Sequence, residues 1–131
     1  MTFFDDVVAF HVALGVPVAA RPQDFLPWER YQLRCRLVDE EVAELLAAMV
    51  DGDIAHIAKE IADVVVVVLG TAVEYGIPMN EVWAAVHESN MAKRPAAGVP
   101  VMRADGKVLK PDGWLAPDVA GIVNGAQAHH A

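Results

Sequence analysis

Five carboxylates, each three or four residues from another, offer the clearest chemistry in this 131-residue sequence. They are Glu40, Glu41, Glu44, Glu60 and Asp63. Side chains at this spacing share one face of an α-helix. The second cluster runs directly into the valines at residues 64–68, where an unpaired buried charge would be costly. Because Mg²⁺ takes oxygen ligands and keeps positions for water and phosphate, the two clusters predict a Mg²⁺ site on neighbouring helices.

A solvated acidic helix face is the alternative interpretation of these carboxylates. Residues 39–63 contain eight carboxylates and one base, Lys59, so local bases cannot neutralise them. A single Glu-x-x-Glu would favour the solvated face, whereas two acidic pairs, the second beside an apolar run, favour a metal site. Two other functions stay open. A di-metal redox bundle is disfavoured because paired Glu-x-x-His ligands are lacking, and a non-catalytic helical interaction module is disfavoured by the complete acidic set.

Four helices, separated by prolines and glycines, are predicted to position these residues. They span about residues 3–14, 27–50, 53–75 and 80–93. Asp53 can cap the third helix and Gly76 can end it. The valine run is also compatible with a buried strand, but no helix breaker lies between residues 53 and 70, so a helix is predicted. The short connections favour an all-α, antiparallel four-helix bundle.

The C-terminal tail, from about residue 95, differs in composition from the helical part. Asp105-Gly106 between two short apolar runs predicts a small hairpin, and residues 117–124 predict a last short helix. His129 and His130 are expected to form a disordered end. The sequence contains no internal repeats, so a single domain is predicted over residues 1–131.

Charge and hydropathy limit the partners of this chain. The net charge of −8 argues against a nucleic acid polymer or an anionic membrane surface as partner. The longest apolar stretch, residues 64–73, is too short to cross a bilayer, which needs about 20 residues. No signal peptide is predicted at the N-terminus, and a single cysteine, Cys35, permits no internal disulfide. A cytoplasmic location is therefore expected.

The two acidic motifs, with fifteen residues between them, resemble the signature of the MazG-like all-α NTP pyrophosphatase superfamily. That superfamily includes dimeric dUTPases, dCTP pyrophosphatases and phosphoribosyl-ATP pyrophosphatases. Similarity to a dUTP-hydrolysing MazG-like subgroup extends over four further segments, Phe10-His11 and residues 34–41, 87–93 and 104–114. One departure is Val66, which stands where relatives often have an aromatic residue, so the resemblance leaves the base pocket undefined.

The resemblance implies hydrolysis of a nucleoside triphosphate between the α- and β-phosphates, which gives a monophosphate and pyrophosphate. By this resemblance Glu41, Glu44, Glu60 and Asp63 would be metal ligands. Glu40 would bind a second metal or orient the attacking water. Mg²⁺ is the expected cofactor, with Mn²⁺ as a substitute. Similarity to the subgroup favours dUTP or dCTP as the substrate.

Seven residues are predicted to contact the substrate. They are Asn90, Lys93, Lys107, Lys110, His11, Phe10 and Arg34. All seven lie in segments that carry the resemblance, which implies that Asn90 and Lys93 hold the substrate. Phe10 could stack on a base and His11 could hydrogen-bond to it, with packing in the first helix as the alternative. The tail lysines belong to residues 93–110, which hold five of the ten basic residues and could neutralise a triphosphate.

A homodimer or homotetramer is predicted from the third helix. This helix is apolar around much of its circumference between residues 64 and 73. A four-helix monomer of this size could not cover such a helix on all sides. Members of the superfamily that the chain resembles also assemble.

Overall fold

The computed structural model describes residues 1–129 and contains five α-helices. They are α1 (Phe3–Leu14), α2 (Trp28–Asp51), α3 (Ile54–Tyr75), α4 (Met79–Met91) and α5 (Val119–His129). The predicted all-α fold is confirmed: within residues 1–129 the β-type pairing is limited to one bridge, between Met102 and Val108. No single helix in this part of the chain is long and apolar enough to cross a membrane.

The helix ends follow from capping side chains and glycines. The Thr2 hydroxyl accepts the backbone amide of Asp5 at 3.1 Å, and the Asp5 carboxylate accepts the backbone amide of Thr2 at 2.9 Å, which starts α1 with a capping box. The Asp53 side chain accepts two backbone amides at the start of α3. That helix ends at Gly76, whose φ of 71° costs a glycine little. The valine run is helical, as predicted.

α2 and α3 form the antiparallel hairpin that their short connection predicts, and α1 packs against α3. α2 buries Ala48, α3 buries Val73, and α1 buries Val7 and His11. This three-helix unit positions the acidic residues.

A buried ion cluster joins α2 to the C-terminal end of α3. The Glu74 side chain is 1% exposed and accepts two hydrogen bonds of 2.8 Å from the Arg30 guanidinium. The Arg34 guanidinium lies 3.1 Å from the same carboxylate. Because removing one partner would leave a buried charge unpaired, this cluster fixes the register of the two helices.

α4 turns away from the α2–α3 hairpin. The axes of α3 and α4 are bent by 118° at the break between them, and the main helix contact of α4 is with α5. α4 ends at Met91, two residues before the predicted end, and leaves Trp83 68% exposed. The whole chain exposes 9203 Å², whereas a compact monomer of its mass would expose about 6,700 Å².

The tail contains the predicted hairpin and a longer final helix than expected. Backbone hydrogen bonds of 2.7 and 2.9 Å join residues 101–103 to residues 107–109 around the Asp105-Gly106 turn. The final helix begins after Asp118, whose side chain caps it, and continues past Asn124 because no proline follows. His129 is its last residue, so the disordered end predicted there is wrong for His129, and His130 lies outside the described residues.

Candidate active site

Three of the predicted carboxylates meet in the half of the α2–α3 hairpin that is nearer to its turn at Gly52. Glu41 comes from α2, and Glu60 and Asp63 come from α3, with one carboxylate oxygen of each within 4.8 Å of the others. Their meeting follows from the position of the turn, since Glu41 and Asp63 each lie eleven residues from Gly52. In an antiparallel hairpin such residues occupy the same level, so the sequence spacing brings the two acidic motifs face to face.

Burial makes this cluster unlike an acidic surface face. The Glu60 side chain is 4% exposed. One oxygen of Glu41 and one of Glu60 are buried without a hydrogen-bond partner among the described residues. Desolvation raises the pKa of Glu41, and the negative charges of Glu44, Asp63 and Glu60 raise it further. A buried carboxylate without a partner carries a substantial desolvation cost, so the solvated-face interpretation does not account for these atoms.

Two basic side chains contact the cluster, and the sequence did not predict either contact. Lys59 Nζ lies 2.6 Å from Asp63 Oδ2 and 3.4 Å from Glu60 Oε1. The hydrogen bond and charge of Asp63, together with the charge of Glu60, raise the pKa of Lys59 to about 12. His56 Nε2 lies 3.2 Å from Glu60 Oε1. The i,i+4 spacing of each base from its acid was the available signal, but such pairs are common on helices without function.

The residues present fit a hard divalent cation. The three ligand groups offer carboxylate oxygens only, which suits Mg²⁺ or Mn²⁺ better than a thiophilic metal. Among residues 1–129, the two buried oxygens of Glu41 and Glu60 are acceptors without donors. A cation among them would supply the missing positive charge, which the exposed Lys59 supplies only in part.

The other two predicted acidic residues lie beside this cluster rather than in it. Glu44 is exposed but close enough for its charge to raise the pKa of Glu41. Glu44 and Glu60 each lie eight residues from Gly52, so they share a level of the hairpin. Glu40 is exposed and precedes Glu41 on α2. Their roles as metal ligands, and the role of Glu40 toward water, stay predictions.

Arg34 and His11, which the sequence predicted to contact the substrate, lie inside the helix packing. Arg34 donates to the Val67 carbonyl at 2.6 Å and to the Thr71 hydroxyl at 3.1 Å, besides its ion pair. His11 is 2% exposed and its Nδ1 donates to the Pro17 carbonyl at 3.0 Å. Their substrate-binding roles stay predictions, but these contacts give both side chains a structural role.

Gly70 makes the close approach of α1, α2 and α3 possible. A Cβ at this position would lie 2.7 Å from an Arg34 nitrogen and 2.8 Å from His11 Nε2. Phe10, in contrast, is 47% exposed beside His11. Of the predicted base-pocket residues, Phe10 is therefore the accessible one.

The predicted phosphate-side residues gather at the C-terminal end of α4. Lys93 Nζ donates to Asn90 Oδ1 at 3.0 Å. Lys93 and Lys110 lie 5.5 and 4.8 Å from the ring centroid of Trp114. Lys107 is exposed on the hairpin. The structure thus brings three of these four predicted residues, Asn90, Lys93 and Lys110, together beside the ring of Trp114.

Comparison with known proteins places the helical part of this chain in a family. Residues 7–90 match the family model described as phosphoribosyl-ATP pyrophosphohydrolase. The match covers well over half of the chain and includes all five predicted acidic residues, and it ends before the tail. A search of curated proteins finds no match. The chain belongs to the phosphoribosyl-ATP pyrophosphohydrolase family, within the MazG-like all-α superfamily, and is a nucleoside triphosphate pyrophosphohydrolase.

Proposed function

We propose that this protein hydrolyses a nucleoside triphosphate between the α- and β-phosphates, with Mg²⁺ held by Glu41, Glu60 and Asp63. The observation that carries the proposal is the pair of buried, unpartnered oxygens on Glu41 and Glu60, within a group of three converging carboxylates. Such a group is costly unless a cation joins it. Mn²⁺ substitutes for Mg²⁺ because it accepts the same oxygen ligands.

The chemistry divides between the carboxylates and the bound cation. When bound, the cation polarises the phosphoryl oxygens and favours deprotonation of a nearby water. Glu40, exposed beside Glu41, orients the attacking water and accepts its proton. The water oxygen bonds to the α-phosphorus while the bond from that phosphorus to the bridging oxygen breaks, and pyrophosphate leaves. Glu44 completes the negative face that holds the cation, alongside Glu60 at the same level of the hairpin.

The phosphate charge is balanced by the basic end of α4 and the tail. Lys93, Lys107 and Lys110 bind the β- and γ-phosphates, and Asn90 orients Lys93 through its 3.0 Å hydrogen bond. Charge developing on the leaving pyrophosphate is stabilised by such preorganised donors. Phe10, the accessible aromatic residue near α1, stacks on the base.

Assembly brings these two halves of the site together. α4 is about 20 Å long, and its 118° bend carries its end about 17 Å sideways from α3. The main helix contact of α4 is with α5, not with the α2–α3 hairpin that carries Asp63. We therefore assign Lys93 to the site of a second copy, in a homodimer or homotetramer, and the exposed area of 9203 Å² supports such an interface.

A subunit-mixing experiment tests this arrangement. Asp63→Asn and Lys93→Ala proteins, each impaired alone, are mixed after partial dissociation and assayed together. Activity above the sum of the separate proteins supports a shared site, because some mixed oligomers carry one intact site. No recovery, with exchange confirmed by light scattering or a tagged subunit, contradicts it. A 14.1 kDa particle at micromolar concentration would contradict assembly itself.

The substrate is proposed from resemblance and family rather than from a base-recognising residue. dUTP or dCTP is favoured by similarity to the dUTP-hydrolysing subgroup, and phosphoribosyl-ATP is a second candidate because the matching family carries that name. Pyrophosphate release from a panel of these compounds and the common NTPs and dNTPs decides between them. A purine triphosphate turned over faster than both pyrimidine substrates would reject the pyrimidine proposal. The cytoplasmic location that accompanies this proposal is tested by cell fractionation.

A further inference from the structure

Trp114 connects the tail to α4 at a defined point. Its indole Nε1 donates a 2.6 Å hydrogen bond to the backbone carbonyl of Ser89. Ser89 lies in the last turn of α4, where carbonyl groups lose their intrahelical partners. The Lys93 amide donates to the Asn90 carbonyl rather than to Ser89. The indole therefore satisfies a helix-end carbonyl and fixes the tail there.

The ring of Trp114 also gathers two positive charges. Lys93 from α4 and Lys110 from the tail lie 5.5 and 4.8 Å from the same ring centroid. Two ammonium groups repel one another, and their attraction to the aromatic ring offsets part of that repulsion. The Lys93 ammonium donates to Asn90 Oδ1, a neutral group. This arrangement is complementary to an anion with at least two negative charges.

We propose that Trp114 is a positioning residue that assembles Lys93 and Lys110 into a binding site for a pyrophosphate group. The ligand is the β,γ-diphosphate of the substrate or free pyrophosphate, which share the same chemistry. The inference deepens the proposed function, on which the substrate half of it rests. All three residues lie beyond residue 90, where the family match ends, and within the segments 87–93 and 104–114 that carry the subgroup resemblance.

The interaction energies favour transfer of the lysines from the ring to a phosphate. A cation–π contact at an exposed position is weaker than a charge-assisted hydrogen bond to a phosphate oxygen. The ring therefore holds the ammonium groups near each other before binding and releases them without a large cost. Binding should change the surroundings of the indole, which makes Trp114 a reporter of its own site.

Pyrophosphate binding without metal tests the proposal independently of hydrolysis. Inorganic pyrophosphate is titrated in EDTA into the oligomer by calorimetry, and into Trp28→Phe/Trp83→Phe protein by tryptophan fluorescence. We expect saturable binding with a change in Trp114 emission. Lys110→Ala and Trp114→Leu should each raise the Kd about 10-fold, while Trp114→Phe, which keeps an aromatic ring, should raise it less. Arg94→Ala is the matched control, since it removes a neighbouring charge.

The outcomes separate the two proposals. Metal-free binding that is lost in Lys110→Ala supports the site even if no triphosphate is hydrolysed. The site is rejected if folded Lys110→Ala and Trp114→Leu proteins bind pyrophosphate as wild type does. It is also rejected if Arg94→Ala weakens binding as much as Lys110→Ala, which would mean unspecific attraction. Binding that appears only with Mg²⁺ and disappears in Glu41→Gln rejects it too, since the carboxylates would then hold the phosphates alone.

Discussion

Replacing Glu60 by glutamine should stabilise the metal-free protein while abolishing its activity. In the metal-free state Glu60 and Glu41 each present a buried oxygen that has no donor within the described part of the chain. Glu60→Gln removes one negative charge and introduces an amide nitrogen that can donate to Glu41. Two facing acceptors thus become a donor–acceptor pair. The same change removes a proposed metal ligand, so stability and turnover should move in opposite directions.

The size of the effect follows from the contacts that Glu60 gains and loses. Relief of an unsatisfied buried polar atom is worth about 1–3 kcal/mol. Against it stands the loss of charge in the contact with Lys59, whose side chain is 65% exposed, and exposed pairs contribute at most about 1 kcal/mol. A net gain of about 1 kcal/mol in the free energy of unfolding remains. For a chain of this size that corresponds to a Tm increase of about 4 °C.

Thermal unfolding at fixed protein concentration measures the prediction. In EDTA the Tm of Glu60→Gln should exceed that of wild type. At millimolar Mg²⁺ the wild-type Tm should rise, because the cation binds the folded state, and the variant should show little change. Asp39→Asn is the matched control, since it removes an exposed negative charge from α2 near Glu41. A clear drop in the Tm of Glu60→Gln in EDTA would refute the reasoning, because Glu60 would then be an ordinary structural partner of Lys59 and His56.

Three further predictions concern other parts of the molecule. Glu74→Gln should destabilise the protein by about 3 kcal/mol, because Arg34 would remain buried with a weakened partner. Denaturant unfolding measures this, with Glu81→Gln as the control. The pKa of Glu41 is raised above its ordinary 4.5. On acidification, Mg²⁺ affinity should therefore begin to fall at a pH above 4.5. In the metal-free protein, the free energy of unfolding should fall as the pH rises through the same region. Glu44→Gln should move the midpoints of both pH dependences to lower pH. Mg²⁺ titrations across a pH series measure the midpoint for metal affinity. Lys93→Ala and Lys107→Ala should each lower kcat/KM about 10-fold with little change in the metal-free Tm. Unchanged kinetics in both variants would contradict the proposed role of these lysines in phosphate binding.

The acidic centre could be predicted because its geometry is local. The i,i+3 spacing sets the face of each helix, and equal distances of Glu41 and Asp63 from Gly52 set their common level. The contacts of Lys59 with Asp63 and of His56 with Glu60 depend on side-chain rotamers, which spacing does not determine. For the same reason the sequence could not show that Arg34 would turn inward to Glu74.

Sequence patterns could not determine the orientation of α4. A short connection at residues 76–78 is compatible with a closed hairpin or with the observed 118° bend. What decides between them is the surface against which α4 packs. Here α4 contacts α5, and its surface around Trp83 stays exposed. The contact of Trp114 with Ser89 joins residues far apart in the chain, and no local signal marks it.

The most direct test is the identity of the products. ³¹P NMR of a reaction of the wild-type protein with its best triphosphate and Mg²⁺ should show a nucleoside monophosphate and pyrophosphate in equal amounts. EDTA or Asp63→Asn should abolish both signals while helicity is retained. A nucleoside diphosphate with orthophosphate as products would contradict the proposed bond cleavage, and undiminished turnover by folded Asp63→Asn would contradict the carboxylate centre.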